Sequence, residues 1–131
     1  MPRVVWPLRH DQPNIEIVLP LATGQETVRN LLADSGAGTA RAGFELILDE
    51  GDCLLAGGRP AQMVSLGGAY VGMYPVYVVR IRIPRLKFDR HVRSVGVATV
   101  PPGFDGLAAF RFLNRFTYGN FGSPGQFGLK I

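Results

Sequence analysis

Apolar positions along most of this chain recur with a period of two, which places alternate side chains on one face of a strand. Ile15, Ile17 and Leu19, separated by Glu16 and Val18, predict a strand. Thr23-Gly24-Gln25-Glu26 predicts a turn, and residues 27–33 a second strand that becomes wholly apolar at its end. Asp34-Ser35-Gly36-Ala37-Gly38 then breaks the chain sharply. Residues 44–48 form a short apolar run that suits either strand or helix, and Asp49-Glu50-Gly51-Asp52 predicts a solvated turn. Residues 63–66 and 70–83 flank Gly67-Gly68, a pair suited to a tight turn, and together predict a long hairpin. On its return strand Arg80 and Arg82 alternate with Ile81 and Ile83, then Arg85 and Lys87 with Leu86 and Phe88. Residues 95–100 predict a last apolar strand, stopped by Pro101-Pro102-Gly103.

The period changes only once. In residues 106–116, Leu107, Phe110 and Leu113 fall three apart, with Ala109, Phe112 and Phe116 beside them and Arg111, Asn114 and Arg115 on the other face. This is a helical stripe, and Asp105 is placed to cap its first turn. Residues 118–131 predict a hairpin around Gly122-Ser123-Pro124-Gly125. Residues 1–13, with Pro2, Pro7 and Pro13, predict an irregular N-terminal arm ahead of one domain over residues 14–131. The fold class expected is all-β with one short helix near the C-terminus.

Composition narrows this picture. At 131 residues, 47% hydrophobic and 18% charged, the chain carries too much apolar surface for a disordered protein. Its 17 glycines and 10 prolines favour short strands and turns over a helical bundle. The net charge of +4 bears on solubility more than on a nucleic-acid partner. The basic series Arg80, Arg82, Arg85, Lys87, Arg90 and Arg93 fits the exposed face of a half-buried sheet better than a nucleic-acid face. Cys53 is the single cysteine, so no intramolecular disulfide forms. With His10 and His91 it makes too small a set for a zinc site, and no metal or cofactor is expected. No apolar run has signal-peptide or bilayer length; the longest uncharged stretch, residues 60–79, contains Gln62, Ser65, Gly67, Gly68, Gly72 and Pro75. The expectation is a protein of the cytoplasm or another reducing compartment, with no membrane partner.

An acid directly after a buried strand, in a glycine-containing turn, is costly unless its oxygens find donors. By itself Asp34 suits an Asx turn at a strand end. Its context adds more. The strand Leu31-Leu32-Ala33 runs into Asp34-Ser35-Gly36-Ala37. A glycine hairpin follows, and then Gly103-Phe104-Asp105-Gly106-Leu107-Ala108-Ala109-Phe110-Arg111-Phe112-Leu113. In this order the pieces resemble the retropepsin-like aspartic proteases, over roughly residues 14–118. The resemblance implies a closed barrel with a flap hairpin and one short C-terminal helix. It implies an aspartic endopeptidase acting on a peptide or protein, with Asp34 catalytic. Hydrolysis of this kind uses two carboxylates that share one proton over a water; the pair is a standard example of coupled acids. The chain has one such turn, so the second carboxylate would come from a second copy across a two-fold axis, making a homodimer.

The same resemblance gives roles to the neighbours. Ser35 would brace the paired turns, Gly36 lets backbone N–H groups approach the carboxylate, and Ala37 offers no hydroxyl. Leu66, Gly67, Gly68, Ala69 and Tyr70 would form the flap, with Tyr70 or Met73 lining it. Asp105 and Gly106 belong to the second glycine segment, where Asp105 reads as a helix cap rather than a catalytic acid. One departure stands out: Ala109 occupies a position where family members carry glycine. Two other functions fit the residues. One is a dimerisation or binding module with the same fold and no catalysis. The other is a basic β-barrel binding nucleic acid.

Overall fold

A computed structural model describes residues 1–131 as ten strands and two short helices. Strands β2 (Asn14–Pro20), β3 (Glu26–Ala33), β8 (Gly106–Ala108), β4 (Leu46–Asp49), β7 (Phe88–Val97) and β6 (Gly72–Ile83) follow one another in a single sheet. Val18 of β2 pairs with Arg82 of β6, which closes these strands into a barrel. Strand β5 (Pro60–Leu66) lies outside the ring and pairs only with the first half of β6.

Alternation drives closure. Ile15, Ile17 and Leu19 of β2 and Val79, Ile81 and Ile83 of β6 all turn inward, while Glu16 and Arg80 face solvent. The interior holds a cluster of 20 buried residues that includes Leu31, Leu46, Leu48, Phe112 and Leu129. Each fully buried aliphatic or aromatic side chain in it contributes about 1.5–3 kcal/mol. Outside, Arg80 forks onto Asp89 with bonds of 2.8 and 2.6 Å, and Arg82 reaches Glu26. The basic series therefore includes residues that meet acids on other strands of the barrel.

Strand β8 is the unexpected element. It runs parallel to β3 and antiparallel to β4, threading between them. At Gly106 a Cβ would overlap the Ile47 carbonyl oxygen, so only glycine allows this approach. The helix expected over residues 106–116 is thus corrected: its first residues are strand, and only Phe110–Leu113 are helical (α2). The three-residue spacing of Leu107, Phe110 and Leu113 is met instead by a strand that bends into one helical turn. Asp105 does not cap α2; the N-cap is Ala109, with no side-chain bond. Asp105 Oδ2 instead accepts from Asn30 N at 2.8 Å, and Asp105 N donates to Asn30 O at 2.8 Å.

Three further expectations change. Residues 49–52 are not a solvated turn. Asp49 caps α1 (Glu50–Leu55) by accepting from Gly51 N at 2.8 Å. Asp52 is buried and takes both arms of Arg29, at 2.7 and 3.0 Å. The ambiguous run 44–48 supplies a strand, and the strand read over 95–100 ends at Val97. Residues 3–7 are not irregular: Arg3–Pro7 is strand β1, paired with β10 (Gln126–Lys130), which also pairs with β9 (Thr117–Gly119). Val4 and Leu129 join the main core and tie this small sheet to the barrel. No helix is long and apolar enough to cross a membrane.

Candidate functional site

The chain reaches Asp34 just past the end of β3. Asp34 N donates to Ala108 O at 2.9 Å, so β8 holds the turn from one side. Its Oδ1 accepts from Gly36 N at 2.9 Å, and Ala37 N donates to Asp34 O at 3.2 Å. A Cβ on Gly36 would lie 3.3 Å from the same Oδ1, tight against the oxygen that accepts the bond. From the other side Phe110 N, at the start of α2, donates to Ala37 O at 2.9 Å. The acid therefore sits in a rigid turn clamped by both halves of the Gly106–Leu113 segment.

The descent from this turn to β4 is fixed as firmly. Arg111 donates to Ala42 O at 2.7 Å, and Ala109 N to Glu45 O at 2.9 Å. Glu45 is buried, and both its oxygens accept from Arg115 at 2.7 Å. That bidentate bond raises the Arg115 pKa despite the desolvation working against it. Ala109 is wholly buried in a second cluster with Phe44, Ile47, Val76, Val95, Val97 and Leu107. Its methyl group is accommodated beneath the turn.

Asp34 opens into a groove of about 760 Å³. Leu32, Ile47, Val97 and Leu107 form its apolar floor, residues 67–70 and Tyr74 line it from the hairpin, and residues 98–102 complete its wall. Asp34 is the one charged side chain lining this space. Tyr70 and Tyr74 meet edge to face with centroids 6.4 Å apart. Burial, and secondarily the neighbouring Tyr74, push the Tyr70 phenol up, so it remains a neutral donor and acceptor at ordinary pH.

The structure sorts the residues singled out by sequence. Asp34, Gly36, Ala37, Gly67, Gly68, Ala69 and Tyr70 all line the one groove. Leu66 lines an adjoining space of about 480 Å³ that shares Gly36, Ala37, Ile47, Gly67, Gly68 and Tyr70 with it. Ser35 is exposed and faces neither cavity. Met73 lies 61% exposed on the outer side of the hairpin, away from the groove. Asp105 and Gly106 do not touch the groove; they hold β8 against β3 and β4. The hairpin connection is longer than a two-residue turn, because Gly68–Tyr70 forms a 3₁₀ turn after Gly67. Sequence reasoning missed Tyr74 and residues 97–102. The Pro101-Pro102-Gly103 break was the available signal, since a loop stiffened by two prolines makes a defined wall. Nowhere do three His, Cys, Asp or Glu side chains gather in a way that could hold a metal ion.

No family model, no curated protein and no solved structure matches the chain.

Proposed function

We propose that this chain is one half of an aspartic endopeptidase, completed by a second copy. The observation that carries this reading is the placement of Asp34: a lone carboxylate in a clamped turn, facing an apolar groove beneath a glycine hairpin. In this mechanism Asp34 and its equivalent in the second copy share one proton, since two adjacent carboxylates do not both ionise cheaply. The ionised member takes a proton from a water held between them. The water oxygen attacks the peptide carbonyl while the protonated member donates to the carbonyl oxygen, giving a tetrahedral diol. As the C–N bond of that diol breaks, the member that took the water's proton passes it to the leaving amine nitrogen and the other takes a proton from a diol hydroxyl, so the pair again holds one proton. Gly36 N fixes the Asp34 carboxylate so that little reorganisation is needed at that step. Residues 67–70 serve as the flap that excludes water from the bound peptide. The bulk of Tyr70 and the floor of Leu32, Ile47 and Leu107 favour uncharged, apolar peptide segments.

The test is Asp34→Asn, which keeps size and most hydrogen bonding but removes the ionisable group from both halves of the dyad. Peptide cleavage falls by at least about a thousandfold, while the melting temperature and the dimer seen in sedimentation are unchanged. Retention of wild-type cleavage by Asp34→Asn ends this reading. A wild-type dimer that cleaves nothing across the pH range leaves the non-catalytic binding module in its place.

A further inference from the structure

We infer that residues 9–12 form a strap that sets the width of the Asp34 groove, with Arg9 and His10 as positioning residues acting through Gly103. Arg9 N donates to Gln12 O and Gln12 N to Arg9 O, both at 3.0 Å, closing a two-residue turn. Its central residues both have positive φ, 52° at His10 and 59° at Asp11. That is the backbone of a primed turn, which residues with a Cβ adopt only at a cost. Such a conformation persists where surrounding contacts hold it.

Those contacts converge on one loop. Arg9 Nε donates to Gly103 O at 2.8 Å. The His10 ring stands edge-on to Phe104, centroids 6.3 Å apart. Gly103, at φ +80°, lies so close to the His10 ring that a Cβ there would come within 2.7 Å of Cδ2. The loop it belongs to, residues 98–104, leaves the sheet after Val97 and supplies Val100, Pro101 and Pro102 to the groove wall. Its far end is pinned by the paired bonds of Asp105 to Asn30, a residue of β3 four positions before Asp34. Between those anchors the strap is a further support, and two consecutive prolines carry its position directly into the wall.

The kinetic consequence rests on the peptidase reading; the hold on the wall does not, so the two are measured separately. In the full chain with Cys53→Ala, nitroxides placed at Ala69→Cys and Ala98→Cys report the separation of the two walls, with labelled chain diluted into unlabelled. Arg9→Met keeps the stem and removes the donor. It broadens and lengthens that distance distribution and speeds amide exchange in residues 98–104 about tenfold, while residues 77–83 keep their protection. Gly103→Ala does the same more strongly, and adding His10→Ala recovers part of the loss because the new methyl group finds room. On peptides that wild type cleaves from an internally quenched library, Arg9→Met raises KM about tenfold at nearly constant kcat. An unchanged distance distribution in Arg9→Met, or faster exchange spread evenly over the barrel, overturns the strap. A wild type that cleaves nothing, with distances and exchange responding as stated, sinks the peptidase reading and leaves the strap standing.

Discussion

The barrel interior and the groove side are built from the same alternating pattern and end in different states. The barrel interior and the elements packed against it form one cluster of 20 residues, and Ile15, Ile17, Leu19, Leu31 and Ile81 have no exposed surface. On the groove side only seven residues are buried, and Leu66, Tyr70 and Tyr74 pack against them while still partly wet. Beyond them the outer face of the hairpin leaves Met63, Met73 and Val71 at 56, 61 and 75% exposure. The difference is one of partners. Each barrel strand has a neighbour on both sides, so one of its faces is sealed. Strand β5 has a neighbour on one side only. Local stability follows the number of sealed contacts, so the groove side is the region least able to bury its own side chains.

This contrast can be broken most forcefully from inside. Phe112 has no exposed surface and meets Phe88 edge to face at 5.8 Å. Phe112→Ala lowers unfolding free energy by about 3–5 kcal/mol, measured by urea denaturation. A loss below about 1 kcal/mol would show that the barrel core is not the dominant unit.

A smaller effect reads the same core through pH. Cys53 is buried, and desolvation pushes its thiol from 9.0 up to about 11. The Ser94 hydroxyl contact, at 4.0 Å, works weakly the other way. Between pH 9 and 11 the unfolded chain therefore releases a proton that the folded chain keeps. Stability is full below the unfolded value and declines across that window by about 2–3 kcal/mol. Tyr77, held up to about 12 first by its bond to Glu50, adds a decline of the same sign. Cys53→Ala removes the thiol's share; an identical pH slope in Cys53→Ala refutes the assignment.

The smallest stability effect belongs to the groove. Tyr70→Ala removes a large side chain that is only partly buried, so it costs less than about 1 kcal/mol of stability. Its signature is faster exchange in residues 66–72 and, on the peptidase reading, a higher KM for peptide. If Tyr70→Ala destabilised the chain as much as Phe112→Ala, the two regions would not be distinct.

Much was legible in the order of residues. Period-two runs placed β2, β3 and the β5–β6 hairpin, because alternation is a local property that a strand with one sealed face imposes on its own sequence. The Asp34 turn and the glycine hairpin were visible for the same reason: sharp turns demand particular residues where they occur. The elements misread were those whose partners lie far away. Residues 106–108 became a strand because β3 and β4 left a slot that only Gly106 could enter. Asp105 was turned from helix cap to tether by Asn30, 75 residues earlier. Asp52 left the solvent because Arg29 was there to meet it. Residues 3–7 were ordered by β10 at the other end of the chain. Sequence by itself determined which segments alternate and where the chain must turn, since those rest on neighbours one to four positions apart. Tertiary structure decided which edges meet, which acids are paired, and that Asp34, the hairpin loop and residues 98–102 enclose one groove. Those outcomes depend on closure of the barrel, which brings together backbone groups that no local pattern encodes.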